Sequence, residues 1–320
     1  MSEANAGLRA SGIRTASGQL QSGPRCWVCG ADTRPFWTQP AFDAVACVAC
    51  GHVQAQHHAA SAGTDYHRAY EQGEFVESLA ATRRRQSQRL LDALSFSSEP
   101  PRSLFDFGCG RGWLLEAARE RGMQQLAGGD VSALALELLA SRGIAGVQLD
   151  ELEPFERLDF ARLGFVPEVI SLLDVVEHFA GDLQRRLAPW IERLPSGVRY
   201  LVVKVPVQDG LLFSLANGAR RLGVNSLGNQ LFQVGTFPPH QQYFTRRSLG
   251  LFGSGLGLET LLELDDIDFE PAGLGGRLSA SLPLVRRLGG VAGHVLALAA
   301  TQLRRADSRT LILRRRARRG

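Results

Sequence analysis

From position 102 onward, short apolar runs alternate with stretches of helical periodicity. Strands are expected at 103–107, 125–129, around 146–149, 168–173, 199–205 and 258–264, with a last one at 310–313. The run at 199–205 is rich in Val and Leu, as a strand buried on both faces requires. A helix is expected to start near Gly112 with Trp113-Leu114-Leu115, and 282–303 also reads as helical. Strands separated by helices predict βαβ units and a parallel sheet. Ahead of this region, 65–96 reads as mostly helical, with Phe75, Leu79, Leu90, Leu91 and Leu94 apolar and Arg83, Arg84 and Arg85 on a solvated face. The Ser/Pro cluster ending at Pro100-Pro101 then breaks the chain. The Gly- and Asn-bearing stretch 208–237 reads as an insertion over the active face, and no internal repeat is present.

Composition sharpens this in two places. With 320 residues, 44% hydrophobic and 21% charged, the chain can bury one large domain and a small appendage. The net charge of +4 is local: positions 304–320 hold eight arginines and one aspartate, leaving the remainder at about −3. A basic tail is not a broad nucleic-acid footprint, which argues against nucleic acid as a partner. The tail reads chiefly as a final strand with a solvated cationic end. Peripheral membrane contact through the apolar 282–303 segment and this tail stays open. Residues 1–24 are rich in Ala, Ser and Gly and lack the apolar core of a secretory signal, so a cytoplasmic chain is expected.

Four of the five cysteines form two close pairs, Cys26-x-x-Cys29 and Cys47-x-x-Cys50, 17 residues apart. Two cysteines three apart on a tight turn can aim both sulfurs at one ion, and two such knuckles complete a tetrahedron. Gly30 and Gly51 follow the pairs and suit the turns. Four thiolates leave no open position, so the expected Zn2+ is structural. His52, His57 and His58 follow closely and could replace a ligand, but exposed loop histidines are the simpler reading.

Between the first strand and its helix lies Asp106-Phe107-Gly108-Cys109-Gly110-Arg111-Gly112. Glycines there let backbone approach a ligand closely. A dinucleotide fingerprint would place its third Gly at 113, where this chain has Trp113. Three further segments stand out: Gly129-Asp130-Val131-Ser132, Leu172-Leu173-Asp174-Val175-Val176-Glu177-His178, and Pro239-His240-Gln241-Gln242-Tyr243-Phe244-Thr245. Together these resemble the class I S-adenosylmethionine-dependent methyltransferases across about 65–320, and the leading cysteine module is similar to the subgroup with a zinc-ribbon-like N-terminus. The resemblance implies S-adenosyl-L-methionine as cofactor. It assigns Asp130 to both ribose hydroxyls, Gly108 and Gly110 to close backbone contact, and Asp106 to fixing the loop and the amino group. It also places Cys109, Val131 and Leu173 along the cofactor. A carboxylate's two oxygens suit paired hydroxyls independently. Asp150 is a candidate for the adenine amino group or an ordinary member of an acidic loop.

A sulfonium is a strong electrophile with a neutral leaving group, so the protein must align the acceptor and at times remove its proton. His178 and His240 fall near the carboxyl ends of strands and suit a general base at neutral pH. Glu177 and Tyr243 could orient the base or substrate. For His178 a role in shaping the pocket, and for His240 a substrate or turn contact, remain open. Lys204, at the end of the 199–205 strand, could face the pocket, but reads first as a surface lysine whose ammonium reaches water.

These readings predict an α/β protein: a doubly wound, mostly parallel Rossmann-like sheet with helices on both faces, plus the N-terminal zinc module. The divisions are a flexible start (1–24), the zinc module (25–60), a helical lid (61–100) and the methyltransferase domain (101–320). The expected reaction is methyl transfer to an O or C atom of a small-molecule acceptor such as a sugar, polysaccharide or natural-product intermediate. The rivals are an RNA or protein methyltransferase docking through the zinc module, and a non-enzymatic adaptor with a vestigial pocket.

Overall fold

The computed structural model describes residues 24–58, 73–151, 153–236, 238–266 and 306–316, with side chains in the first helix from Leu79 onward. A seven-stranded sheet carries β4 (Ser103–Phe107), β5 (Gln125–Asp130), β6 (Ala145–Gln148), β7 (Val169–Leu173), β8 (Tyr200–Pro206), β10 (Leu258–Asp266) and β11 (Ser308–Arg315) in the order β10-β11-β8-β7-β4-β5-β6. The five strands β6-β5-β4-β7-β8 are parallel, and β11 runs antiparallel to both β8 and β10. All five residues of β4 are buried, as a central parallel strand covered on both faces demands. The strand order reverses direction at β4, where β5 lies on one side and β7 on the other, and the carboxyl ends there open a crevice suited to a ligand.

Helices follow the strands as the periodicity predicts. Helix α1 (Gly73–Ser95) packs Leu90, Leu91 and Leu94 into a core shared with Leu114 and Leu115 of α2 (Trp113–Glu120). Helix α3 (Ala133–Ser141) is capped by Ser132, whose hydroxyl accepts from the Ala135 N–H. Helix α4 (Leu183–Arg193) buries Leu187, Trp190 and Ile191 against the opposite face. The expected strands lie within about two residues of those observed. The helical reading of 282–303 and the membrane contact suggested there fall outside the described residues. No helix of the described residues is long and apolar enough to cross a membrane.

The cysteine region forms β1 (Thr33–Thr38), β2 (Phe42–Cys47) and β3 (Val53–His57). These strands join a two-residue strand from far along the chain, β9 (Gln242–Tyr243), in a second sheet of order β1-β2-β3-β9. The 208–237 stretch supplies α5 (Leu211–Arg221) and α6 (Ser226–Leu231). Trp37, Phe42, Phe213, Phe232 and Tyr243 make one aromatic core between the second sheet and these helices. Gly228 is required by close approach, since a Cβ there would lie 2.4 Å from the Trp37 ring. Thr245 caps α7 (Arg246–Gly255) and also donates to the Cys50 carbonyl at 2.8 Å, so one residue ties a cysteine turn to a helix of the large domain.

The basic tail is partly structural. Arg314 and Arg315 belong to β11; Arg314 pairs with Glu259, and Arg315 donates to the carbonyls of Ile191 and Leu194. The strand thus runs two residues beyond its apolar stretch, and Arg314, Arg315 and Arg316 stay exposed at its end.

Candidate active site

The glycine bend is fastened to the end of β5. Gly108 and Cys109 donate N–H bonds to the Gly129 carbonyl at 2.7 and 3.0 Å, and Gly110 donates to Asp130 Oδ2 at 2.8 Å. Gly108, Gly110 and Gly112 have φ of 72°, 50° and 72°, a region that L side chains resist. A Cβ on Gly108 would also meet Val175 Cγ2 at 2.6 Å. Cys109 fills the space above Gly128, where a Cβ would come within 2.8 Å of its sulfur. The bend and Asp130 are thus a single unit held by backbone.

A cavity of about 220 Å3 opens beside this unit. Of the positions singled out for the cofactor, Asp106, Gly108, Cys109, Gly110 and Leu173 line it. Trp113 stands on its wall without filling it. Asp130 lies just behind the bend, 5% exposed, with Oδ1 accepting from the Ser132 N–H at 2.9 Å. Val131 and Asp150 are half-buried farther along the same edge, and Asp150 pairs with Arg157 at 3.2 Å. Asp106 is buried and accepts from Ser171 Oγ at 2.6 Å; burial, with the Asp130 and Asp174 charges adding to it, pushes its carboxyl up to about 7 against that hydrogen bond.

The sequence reading missed a charged cluster on the cavity wall. Lys204 is 2% exposed, not at the surface, and its Nζ donates to Asp174 Oδ1 at 2.8 Å. Asp174 Oδ2 in turn meets Arg83 at 2.5 Å. Arg83 therefore leaves the solvated arginine face of α1, while Arg84 and Arg85 stay exposed. The available signal was position: Lys204 lies inside an apolar strand sandwiched between layers, where an ammonium must find a carboxylate.

Glu177, His178, His240 and Tyr243 converge beyond the end of β7. Glu177 and His178 lie on the one-turn 3-10 segment Val176–His178, and Gln241 ties down to the Glu177 carbonyl through its N–H at 2.7 Å. The His178 and His240 rings are 4.9 Å apart, and His240 Nε2 is 3.9 Å from Glu177 Oε1. His178 Nδ1 lies 3.1 Å from the Pro239 carbonyl, and His240 Nδ1 lies 3.2 Å from the Tyr243 hydroxyl. Burial, with the Asp174 charge adding to it, raises the Glu177 carboxyl well above its usual range, and burial lowers His178. A neutral imidazole and a reluctant carboxylate, side by side, can take up or pass on a proton near neutrality.

The four cysteine sulfurs form a single cluster. Cys26–Cys50, Cys29–Cys47 and Cys29–Cys50 separations are 3.7, 3.4 and 3.5 Å, and all four sulfurs lie within 4.8 Å of one another. A tetrahedral Zn2+ with bonds of about 2.3 Å sets its sulfurs about 3.8 Å apart, so the donor set fits that ion. Of the histidines that follow, His52 and His58 lie in loops that flank β3 and His57 lies on the strand, and His52 is not exposed. His52 is fully buried against Phe244, and burial drives it down to about 3, so it is neutral. His57 lies on β3, and its Nε2 is 2.9 Å from the His240 carbonyl. His58 contacts Pro40 and Asp43.

A parallel sheet of this order, with a glycine bend and an acidic residue at adjacent strand ends, defines the class I methyltransferase architecture. The family model described as "Methyltransferase domain" matches residues 79–263, more than half of the sequence. The chain belongs to this family and is an S-adenosylmethionine-dependent methyltransferase. No curated protein matches it. Among solved structures it is similar to a chain of the Haloferax volcanii complex between the Trm112 methyltransferase activator and a methyltransferase, with 10% identity, TM-score 0.51, and 80% and 97% of the two chains covered. It is also similar to a SAM-dependent methyltransferase from Archaeoglobus fulgidus (20% identity, TM-score 0.42, 72% and 94% covered). A third is magnesium protoporphyrin IX methyltransferase from Synechocystis (14% identity, TM-score 0.45, 75% and 86% covered). At these identities the likeness is one of fold.

Proposed function

We propose that the chain transfers a methyl group from S-adenosylmethionine to an oxygen or carbon of a small molecule, such as a sugar or a polysaccharide or natural-product intermediate. In this reading Asp130 accepts from the ribose hydroxyls, the Gly108–Gly110 backbone lies against the cofactor, and Asp150 reaches the adenine end. Glu177, His178, His240 and Tyr243 face the acceptor, with a histidine taking its proton. Four cysteines hold a structural zinc ion.

The observation that carries the reading is the shared anchoring of the bend and Asp130: bare backbone lines one cavity, and a two-oxygen acceptor is hydrogen-bonded directly behind it. A docking role for the zinc module is less favoured, because its aromatic face is already occupied by α5, α6 and β9 of the same chain. Calorimetry with S-adenosylhomocysteine tests the cofactor site. The wild type is expected to bind, and Asp130→Ala to weaken binding about 30- to 300-fold, as loss of two charge-assisted hydrogen bonds entails. Equal heats for wild type and variant would remove Asp130 from the site.

A further inference from the structure

Each histidine of the acceptor cluster has its tautomer set by a partner behind it. The Pro239 carbonyl can only accept, so His178 Nδ1 carries the hydrogen and Nε2 carries the lone pair. The Tyr243 hydroxyl donates its single proton to the Leu231 carbonyl at 2.6 Å, so it accepts from His240, and there too Nδ1 carries the hydrogen. The third member, Glu177, is 1% exposed, and its Oε2 has no hydrogen-bond partner among the described residues. One donor atom from each residue lies within 4.8 Å of the others.

Glu177 Oε2 is a buried oxygen with no partner among the described residues, and a ring nitrogen of each histidine lies within 4.8 Å of a Glu177 oxygen, so a single ion there would draw a ligand from all three. Imidazoles oriented through Nδ1–H by a carbonyl or hydroxyl, with Nε2 presented inward, are the arrangement that outer partners impose on metal-binding histidines. We infer that Glu177, His178 and His240 form a divalent transition-metal site, distinct from the four-cysteine cluster, that holds the oxygen of the methyl acceptor. Two imidazoles and one carboxylate suit ions such as Mn2+, Fe2+, Co2+ or Zn2+, and three protein ligands leave positions open for substrate.

The consequence for chemistry rests on the methyl-transfer reading above. A hydroxyl bound to such an ion loses its proton more readily. With both histidines holding the ion and neither acting as the base, that proton leaves to solvent, the oxygen forms the bond to the methyl carbon, and the carbon–sulfur bond breaks, its electron pair staying on the neutral thioether. This favours an oxygen acceptor, and most of all one with a second oxygen on the neighbouring carbon, which can fill another open position.

Titration of the full-length protein with Mn2+, followed by the electron paramagnetic resonance signal of the free ion, tests the site. Four thiolates are a poor match for Mn2+, so the cysteine cluster does not compete. Wild type is expected to take up about one Mn2+ per chain. His178→Ala and His240→Ala are expected to abolish uptake, and Tyr243→Phe to weaken it roughly tenfold by releasing the His240 ring. Glu177→Gln keeps the side-chain shape, so a folded Glu177→Gln protein that has lost uptake supports the site even if a histidine variant misfolds. No uptake by the wild type, or undiminished uptake by folded Glu177→Gln, overturns the inference. Calorimetry with S-adenosylhomocysteine separates the two readings. Cofactor binding without Mn2+ uptake removes only the metal, whereas Mn2+ uptake without cofactor binding keeps the metal and removes the methyl-transfer role.

Discussion

The two halves of the active region are built in opposite ways. The half proposed to hold the cofactor comes from adjacent strand ends: the bend after β4 hangs on Gly129 and Asp130 of β5, only about twenty residues away. The half proposed to face the acceptor is assembled from distant pieces. Glu177 and His178 follow β7, His240 and Tyr243 come from beyond the α5–α6 insertion, and β3 of the cysteine module supports them through strand pairing and through His57 at the His240 carbonyl. The first half can form wherever the parallel sheet forms. The second requires the sheet, the insertion and the cysteine module together.

That contrast predicts unequal consequences of damage. The largest effect should follow Cys26→Ser/Cys47→Ser. Metal analysis of the wild type should give zinc bound at the cysteine cluster, and the variant should lose it. Zinc binding of this kind supplies on the order of 10 kcal/mol to folding. Hydrogen exchange is then expected to rise across β1–β3, β9 and α5–α6, while S-adenosylhomocysteine binding changes only a few-fold. A metal-free wild type that stays folded, or a variant that loses cofactor binding as completely as methyl transfer, would erase the distinction.

Gly108→Ala strikes the other half. A Cβ 2.6 Å from Val175 at a φ of 72° is expected to cost about 2–3 kcal/mol and to weaken S-adenosylhomocysteine binding, with the β3–β9 exchange rates unchanged. Calorimetry and hydrogen exchange on the same samples check both clauses, and a wild-type melting temperature would show the bend to be more yielding than its contacts imply.

The smallest effect concerns pH. Asp106 is raised in the fold to about 7 from an ordinary 3.8, so between those values the native state binds more protons than the unfolded state. Stability from this group is full below about pH 4 and is lost as pH rises through about 7. Asp106→Asn, which cannot ionise, should therefore gain on the wild type by on the order of 1–2 kcal/mol between about pH 5 and pH 6.5. Parallel melting curves at the two values measure it, and a constant difference would mean that Asp106 stays ionised throughout.

Much of the cofactor half was legible in the residues because its information is local. Strand ends, glycines of positive φ and a carboxylate two residues from a helix cap all lie in short contiguous segments. The cysteine spacing likewise announced a cluster that the sulfurs form. Lys204 and Arg83 were misplaced for the opposite reason. Their environment is set by Asp174 on a neighbouring strand end, and neither helical period nor strand composition encodes that pairing. His57 was read as a loop residue because the apolar signal of β3 is weak, and pairing with β9 helps make that strand; His52 does lie in a loop, but packing against Phe244 buries it.

The sequence by itself determined the order of strands and helices, the glycine bend with its acidic neighbour, and the paired cysteines, since periodicity, backbone freedom and ligand spacing act over a few residues. Tertiary structure alone decided that a strand from position 242 completes the cysteine sheet and that a buried lysine finds its aspartate. It also decided that two histidines some sixty residues apart gather beside one glutamate. Those outcomes depend on desolvation and hydrogen-bond partners that exist only once distant segments are packed together.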